Sequence, residues 1–239
     1  TLRLVGEGLD VVGQTPGLAE GERIFSARFL GDIGYIVTFR QVDPLFAIDL
    51  SDPENPKVLG ELKIPGFSDY MHPLGDDHLL TIGRDIDENT QVDRGTALQI
   101  FDVSDPANPI ASHKTVLGEG YSEANHNHKA FNFYAAEAPD AGLLAFPFVS
   151  YEGDFSSTLE LWEVSAENGF NRRGAVDHSD LVINDCGTPY PVEDFYYYCG
   201  YQPQITRGVF IDEYIYSISY GGVRVHTVDD LTPVATATY

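Results

Sequence analysis

Basic residues are scarce in this chain: 14 Lys and Arg stand against 37 Asp and Glu, a net charge of −23. That balance excludes nucleic acid as a partner, because phosphates need cations to neutralise them, and it disfavours anionic membranes for the same reason. No apolar run approaches the roughly 18 residues that a membrane-spanning helix requires. The opening residues carry no basic, apolar leader, so any leader is expected upstream or already removed. Long helical periodicity is missing. So is every complete catalytic signature: no Ser-His-Asp order, phosphate-cradling glycine loop or His-Glu-x-x-His pattern occurs. Cysteine is limited to Cys186 and Cys199, without a Cys-x-x-Cys motif, which weakens the redox and zinc-knuckle readings. Both lie in a Tyr- and Pro-rich stretch, 177–204, expected to be an insertion. A disulfide between them would stabilise by about 3 kcal/mol and would place the protein in an oxidising compartment.

What the chain does have is a repeat. Asp49-Leu-Ser-Asp52-Pro53-Glu-Asn55-Pro56 returns 53 residues later as Asp102-Val-Ser-Asp105-Pro106-Ala-Asn108-Pro109. A period of this length marks stacked supersecondary units. Asp and Asn side chains accept from backbone amides two residues on, and proline presets φ, so each copy reads as a tight connection between two strands. Weaker copies follow at Leu159–Ser165 and Val223–Asp230. Ahead of each copy stand two further runs rich in Ile, Val, Phe and Tyr. Four short strands per unit make the pattern of a propeller blade. The expected fold is therefore all-β: a beta-propeller of four-stranded antiparallel blades at about 24–64, 68–117, 124–176 and 205–239. With 43% hydrophobic and 12% aromatic residues, 239 residues can bury such a core. Residues 1–20, by the likeness of Arg3-Leu-Val-Gly6 to Lys57-Val-Leu-Gly60, are expected to hold the last strand of a preceding blade. An unpartnered strand edge is rarely left uncovered, so the chain is expected to be part of a larger propeller whose upstream portion is its partner.

Candidate functional residues come from the first strands of the units. His72 and His126 both stand six residues after a glycine, Gly66 and Gly120, and aligning the strands puts Arg28 at the same place, with Arg207 two residues earlier in register on the same face. First strands border the channel of a propeller, so Arg28, His72, His126, His128 and Arg207 are expected to form a polar cluster at one channel mouth. Imidazoles at this density can hold a transition metal such as zinc, with His72, His126 and His128 as ligands. Two guanidiniums beside them favour a carboxylate, phosphate or sulfate instead. A second metal reading, calcium, falls on Asp85, Asp87, Asn89 and Asp93, whose oxygens alternate as in a calcium loop. The glycine and glutamate of an EF-hand are replaced there by Thr90 and Thr96, and a solvated hairpin loop accounts for the run better.

Gly21–Phe29 with Tyr35–Phe46, the two Asp-Pro turns, His126-Asn-His128-Lys-Ala-Phe131 and Gln204-Ile-Thr-Arg207 resemble the bacterial and archaeal family of secreted proteins with a C-terminal beta-propeller domain distantly related to WD40 repeats. The resemblance covers nearly the whole chain and implies a secreted, periplasmic or cell-surface propeller; it supplies no activity. Two functions follow as expectations. One is a binding or scaffold module for a protein or small anionic ligand, with the tyrosines of 190–201 as a further contact surface. The other is a metal-assisted hydrolase or lyase on the three histidines, with Glu123 or Asp69 as base.

Overall fold

The computed structural model describes residues 3–8, 10–15, 17–39, 43–152, 155–181 and 204–239. The proposed disulfide and the tyrosine cluster lie outside these residues. Four antiparallel sheets follow one another, each with its strands side by side in chain order. The first is β3 (Arg23–Leu30), β4 (Ile33–Phe39), β5 (Asp43–Asp49) and β6 (Lys57–Ile64); the second is β7 (Phe67–Leu74), β8 (His78–Ile86), β9 (Asp93–Asp102) and β10 (Ile110–Gly118). In the third the first strand is broken into β11 (Gly120–Tyr121) and β12 (Asn132–Ala135), both pairing with β13 (Ala141–Ser150), and β14 (Ser156–Ser165) and β15 (Gly169–Asp177) complete it. The fourth is β16 (Ile205–Ile211), β17 (Tyr214–Ser219), β18 (Gly222–Thr227) and β19 (Pro233–Thr238). There is no α-helix among the described residues.

The Asp-Pro turns form for the reason their composition gives. Asp49 Oδ1 accepts from Ser51 N at 2.9 Å, and Asp52 accepts from Glu54 N at 3.1 Å and from Asn55 Nδ2 at 2.9 Å. The second copy repeats these bonds: Asp102 with Ser104 N at 3.0 Å, Asp105 with Ala107 N at 3.0 Å and Asn108 Nδ2 at 2.7 Å. These donors hold all four carboxyls below the usual carboxylate range.

Register repeats as faithfully as the turns. Between third and fourth strands of the first, second and fourth sheets a single residue bulges out: Ile48 pairs Val58 but Ala47 pairs Gly60, Phe101 pairs Ala111 but Ile100 pairs His113, and His226 pairs Pro233 but Val225 pairs Ala235. The bulged strand receives the turn of the next sheet. A Cβ on Gly60 would lie 2.5 Å from Ala107 O, inside the second Asp-Pro turn, so only glycine leaves room there. At the matching place in β10, His113 Nε2 meets Ala166 O, in the third turn, at 3.0 Å.

The N-terminal segment corrects an expectation. Arg3–Val5 (β1) is not a last strand without a partner; it pairs with Val11–Gln14 (β2) as a hairpin. Val5 pairs Val11 while Leu4 pairs Gly13, the bulge of the third–fourth strand pair, and a Cβ on Gly13 would lie 1.9 Å from Pro53 O in the first Asp-Pro turn. Gly13, not Gly6, is the counterpart of Gly60.

By its internal contacts the chain forms two compact units: residues 1–118 with 136–141 and 165–170, and residues 119–135, 142–164 and 171–239. In the first, Tyr35, Val37, Leu45, Ala47 and Ile64 pack against Met71, Leu79, Phe101 and Val103. In the second, Ala145, Leu159, Leu161 and Val176 pack against Ile205 and Ile215. At about 25 cal/mol per Å² of apolar surface removed from water, such seams are the main stabilising term.

Candidate functional site

Register fixes which first-strand residues correspond. In β3, Ile24 pairs Thr38, a bulge follows, and Arg28 pairs Tyr35; in β7, Ser68 pairs Gly83 and His72 pairs Leu80; in β16, Ile205 pairs Ser219 and Val209 pairs Tyr216. Arg28, His72 and Val209 are thus equivalent, and Arg207 stands two residues before that place, where β3 has Ser26 and β7 has Tyr70. Arg28 and His72 belong to the first unit; His126, His128 and Arg207 belong to the second.

In the first unit β3 lies against β7. Ser26 Oγ donates to Ser68 O at 2.5 Å, and the Phe25 and Phe67 rings lie 4.7 Å apart between centroids. These contacts hold the two strands side by side. Desolvation pulls the His72 imidazole down from 6.5 to about 4, and the Arg28 guanidinium pushes in the same direction, so the ring is neutral at physiological pH. Arg28 Nε is buried and has no hydrogen-bond partner. A buried donor without an acceptor costs about 1–3 kcal/mol. The Nε–H is one arm of the fork with which a guanidinium grips a carboxylate or phosphate side-on, so Arg28 presents an unsatisfied anion-binding edge beside a neutral imidazole.

In the second unit the structure departs from the expected strand position of the two other histidines. His126 and His128 sit in the excursion that breaks the first strand of the third sheet, at the ends of two short 3-10 turns, Glu123–Asn125 and His128–Ala130. Local capping causes this. Ser122 Oγ accepts from Ala124 N and Asn125 Oδ1 accepts from Ser122 N, while Asn127 Oδ1 accepts from Lys129 N. Both histidines are exposed. The turns pack against β16, the strand of Arg207. Glu123, offered as a base, accepts from Asn127 Nδ2 at 3.1 Å within this cap.

Neither metal reading finds its ligands. Among the described residues no three His, Cys, Asp or Glu side chains converge where they could hold an ion. The acidic loop is committed to cations and amides: buried Asp85 pairs with Lys114 and Arg94, Asp93 with Arg84 at 2.8 Å, and Asp87 accepts from Asn89 N and Thr90 N at 3.0 and 2.9 Å. Asn89 lies in the turn that Asp87 caps. The cations that claim this loop sit on β8, β9 and β10, and only the register reveals them.

One buried polar node escaped the sequence. His178, fully buried within the stretch expected to be an insertion, meets Ser219 Oγ through Nδ1 at 2.9 Å and Ser217 Oγ through Nε2 at 2.7 Å. Burial first, then the nearby Arg224, lowers its pKa to about 4. The spacing of the two serines puts them on one strand face, but nothing local points to a partner some forty residues away.

The sequence pattern that defines the Beta propeller domain family matches residues 1–231. An uncharacterized protein of Archaeoglobus fulgidus is 46% identical over 130 residues, and one of Methanocaldococcus jannaschii 44% over 128; each match takes in 54% of this chain and 20% of the relative. The matched stretch thus spans one fifth of these relatives' length. Among solved structures, the AfRom2 CNH domain aligns over 90% of this chain and 70% of its own at 8% identity and a TM-score of 0.30, and a eukaryotic initiation factor over 97% and 69% at 9% and 0.32. Scores at that level carry no argument about function.

Proposed function

Because the chain belongs to the beta propeller domain family, we propose that it serves as an extracytoplasmic binding module, with Arg28 and His72 as the receiving edge for an anionic group on a small ligand or a protein partner. The observation that carries this reading is the buried, unpartnered Arg28 Nε beside a desolvated imidazole. An incoming carboxylate, phosphate or sulfate would satisfy the Nε–H and a terminal N–H together, a side-on pairing in which both bonds are charge-assisted. The extracytoplasmic placement rests on the family resemblance and on the pair Cys186 and Cys199. Among the described residues the metal-assisted hydrolase has no ligand set to rest on.

The test is an NMR titration that follows arginine Nε–H resonances at pH 7 as acetate, phosphate or sulfate is added. The Arg28 resonance is expected to shift saturably with at least one of the three, and this response to vanish from the spectrum of Arg28→Gln. An Arg28 resonance indifferent to all three, or moving no more than those of the other arginines, would overturn the reading.

A further inference from the structure

Three aromatic rings stand together in the second unit, where strands of the third sheet begin and end. Tyr121 closes β11, Tyr151 follows β13 and Phe155 precedes β14. The Tyr121 and Tyr151 rings lie 6.3 Å apart between centroids at an interplanar angle of 30°, and the Tyr151 and Phe155 rings 5.8 Å apart at 56°. Tyr151, in the middle, is 59% exposed. The three rings thus form a strip that water reaches, not a part of the core.

The main chain beneath the strip is tied down. Ser150 Oγ donates to Glu119 O at 3.1 Å and accepts from Glu152 N at 3.1 Å, while Glu152 Oε1 accepts from Glu119 N at 3.0 Å. These bonds join the start of β11 to the chain on both sides of Tyr151. A Cβ on Gly120 would strike Val149 O, so glycine is what lets Tyr121 come this close to β13. An exposed ring on a fixed main chain loses little freedom when something settles on it.

Charge decides what that is. Glu119 and Glu152 flank the rings, both exposed, and among the described residues neither is in an ion pair. Between residues 115 and 171 the chain has nine Asp and Glu and a single Lys or Arg, Lys129. The face of an aromatic ring attracts cations, arginine more often than lysine. Rings already in contact leave no gap in which to enclose an ammonium, whereas a planar guanidinium can lie flat on the outer face of Tyr151 and turn its edge to a carboxylate.

We propose that Tyr121, Tyr151 and Phe155, with Glu119 and Glu152, form a docking platform for arginine side chains of a protein partner. The source is a protein because an open strip, unlike a concave pocket, covers too little of a small molecule to hold it alone. This inference uses residues of the second unit only and is independent of the anion site.

The test follows the backbone amides of Tyr121, Tyr151 and Phe155 by NMR as one of four probes is added: the peptide Ser-Arg-Ser-Arg-Ser, its uncharged citrulline counterpart, acetylarginine amide or methyl glucoside. The arginine peptide is expected to shift all three saturably and to bind about tenfold more tightly than acetylarginine amide, while the citrulline peptide leaves them in place. Tyr151→Ala, a change at an exposed side chain that should keep the rest of the spectrum, is expected to abolish the response at Tyr121 and Phe155, and Glu152→Gln to weaken binding about threefold. Equal shifts from the citrulline peptide, or shifts from methyl glucoside alone, would overturn the proposal in favour of a neutral ligand. Acetylarginine amide bound as tightly as the peptide would overturn the protein source. Arginine binding that survives Tyr151→Ala would assign it to the acidic surface at large and overturn the platform, as would amides indifferent to all four probes.

Discussion

The seam within the first unit and the seam within the second occupy matching places in the repeat but are built differently. Four residues after the glycine that receives the next turn stands Ile64 in one and His178 in the other, counting from Gly60 and Gly174, and both side chains are buried. Ser217 and Ser219 meet His178 in the second unit, and at their register the first unit has Thr81 and Gly83. One seam is closed by hydrocarbon, the other by an imidazole held between two hydroxyls. The hydrocarbon version gains from area removed from water and tolerates small shifts. The imidazole version is directional, and it loses its stabilisation when either partner is removed or a proton is added.

Removing the imidazole should have the largest effect. His178→Ala leaves a cavity and breaks two buried hydrogen bonds, so denaturant unfolding is expected to show a loss of about 3 kcal/mol. Installing the first unit's solution, His178→Ile with Ser217→Thr and Ser219→Gly, should recover most of it. A triple variant as unstable as His178→Ala would show that the two seams are not interchangeable.

Acid should separate the seams next. The unfolded chain takes up a proton near pH 6.5, whereas folded His178 and His72 resist it down to about pH 4. Stability is therefore lost as pH falls from 6.5 toward 4, with a slope per histidine below the ~1.4 kcal/mol per pH unit that one full proton gives, because water screens part of each shift. The triple variant should lose the His178 share and keep those of His72 and of His226, whose pKa burial also lowers. An unchanged slope would remove His178 from the account.

The smallest effect tests whether the turns share the difference. Asp52 holds two donors in the first turn, and Asp230 holds Thr232 N at 3.0 Å and Thr227 Oγ1 at 2.6 Å in the fourth. Asp52→Ala and Asp230→Ala should each lower Tm by roughly 2–3 °C. Equal shifts would confine the contrast between the units to the seams.

These contrasts mark where the sequence could be read. The Asp-Pro turns were legible because every bond in them joins residues two or three apart, and the strands because their apolar residues fall between such turns. The equivalence of Arg28 and His72, with Arg207 two places earlier, was legible for the same reason: strand register follows from nearby punctuation. His178 was not, since its serines lie across a seam. The likeness of Arg3-Leu-Val-Gly6 to Lys57-Val-Leu-Gly60 misled because a glycine's role is set by what packs over it, and Pro53 packs over Gly13. His126 and His128 left the strand through short-range capping by Ser122 and Asn127, which the count from Gly120 ignored.

Each turn meets the strand before it largely through main-chain carbonyls: Pro53 over Gly13, Ala107 over Gly60, Ala166 at His113, and Asp229 at Arg173. A carbonyl is present whatever side chain accompanies it. The fit between successive repeats is therefore insulated from mutation at the turn, so Asp-Pro can drift to Ala166-Glu167 or Asp229-Asp230 while the contact stays in place. Divergence can then accumulate at these tips at little cost to the fold, leaving them free to acquire new surface chemistry one repeat at a time.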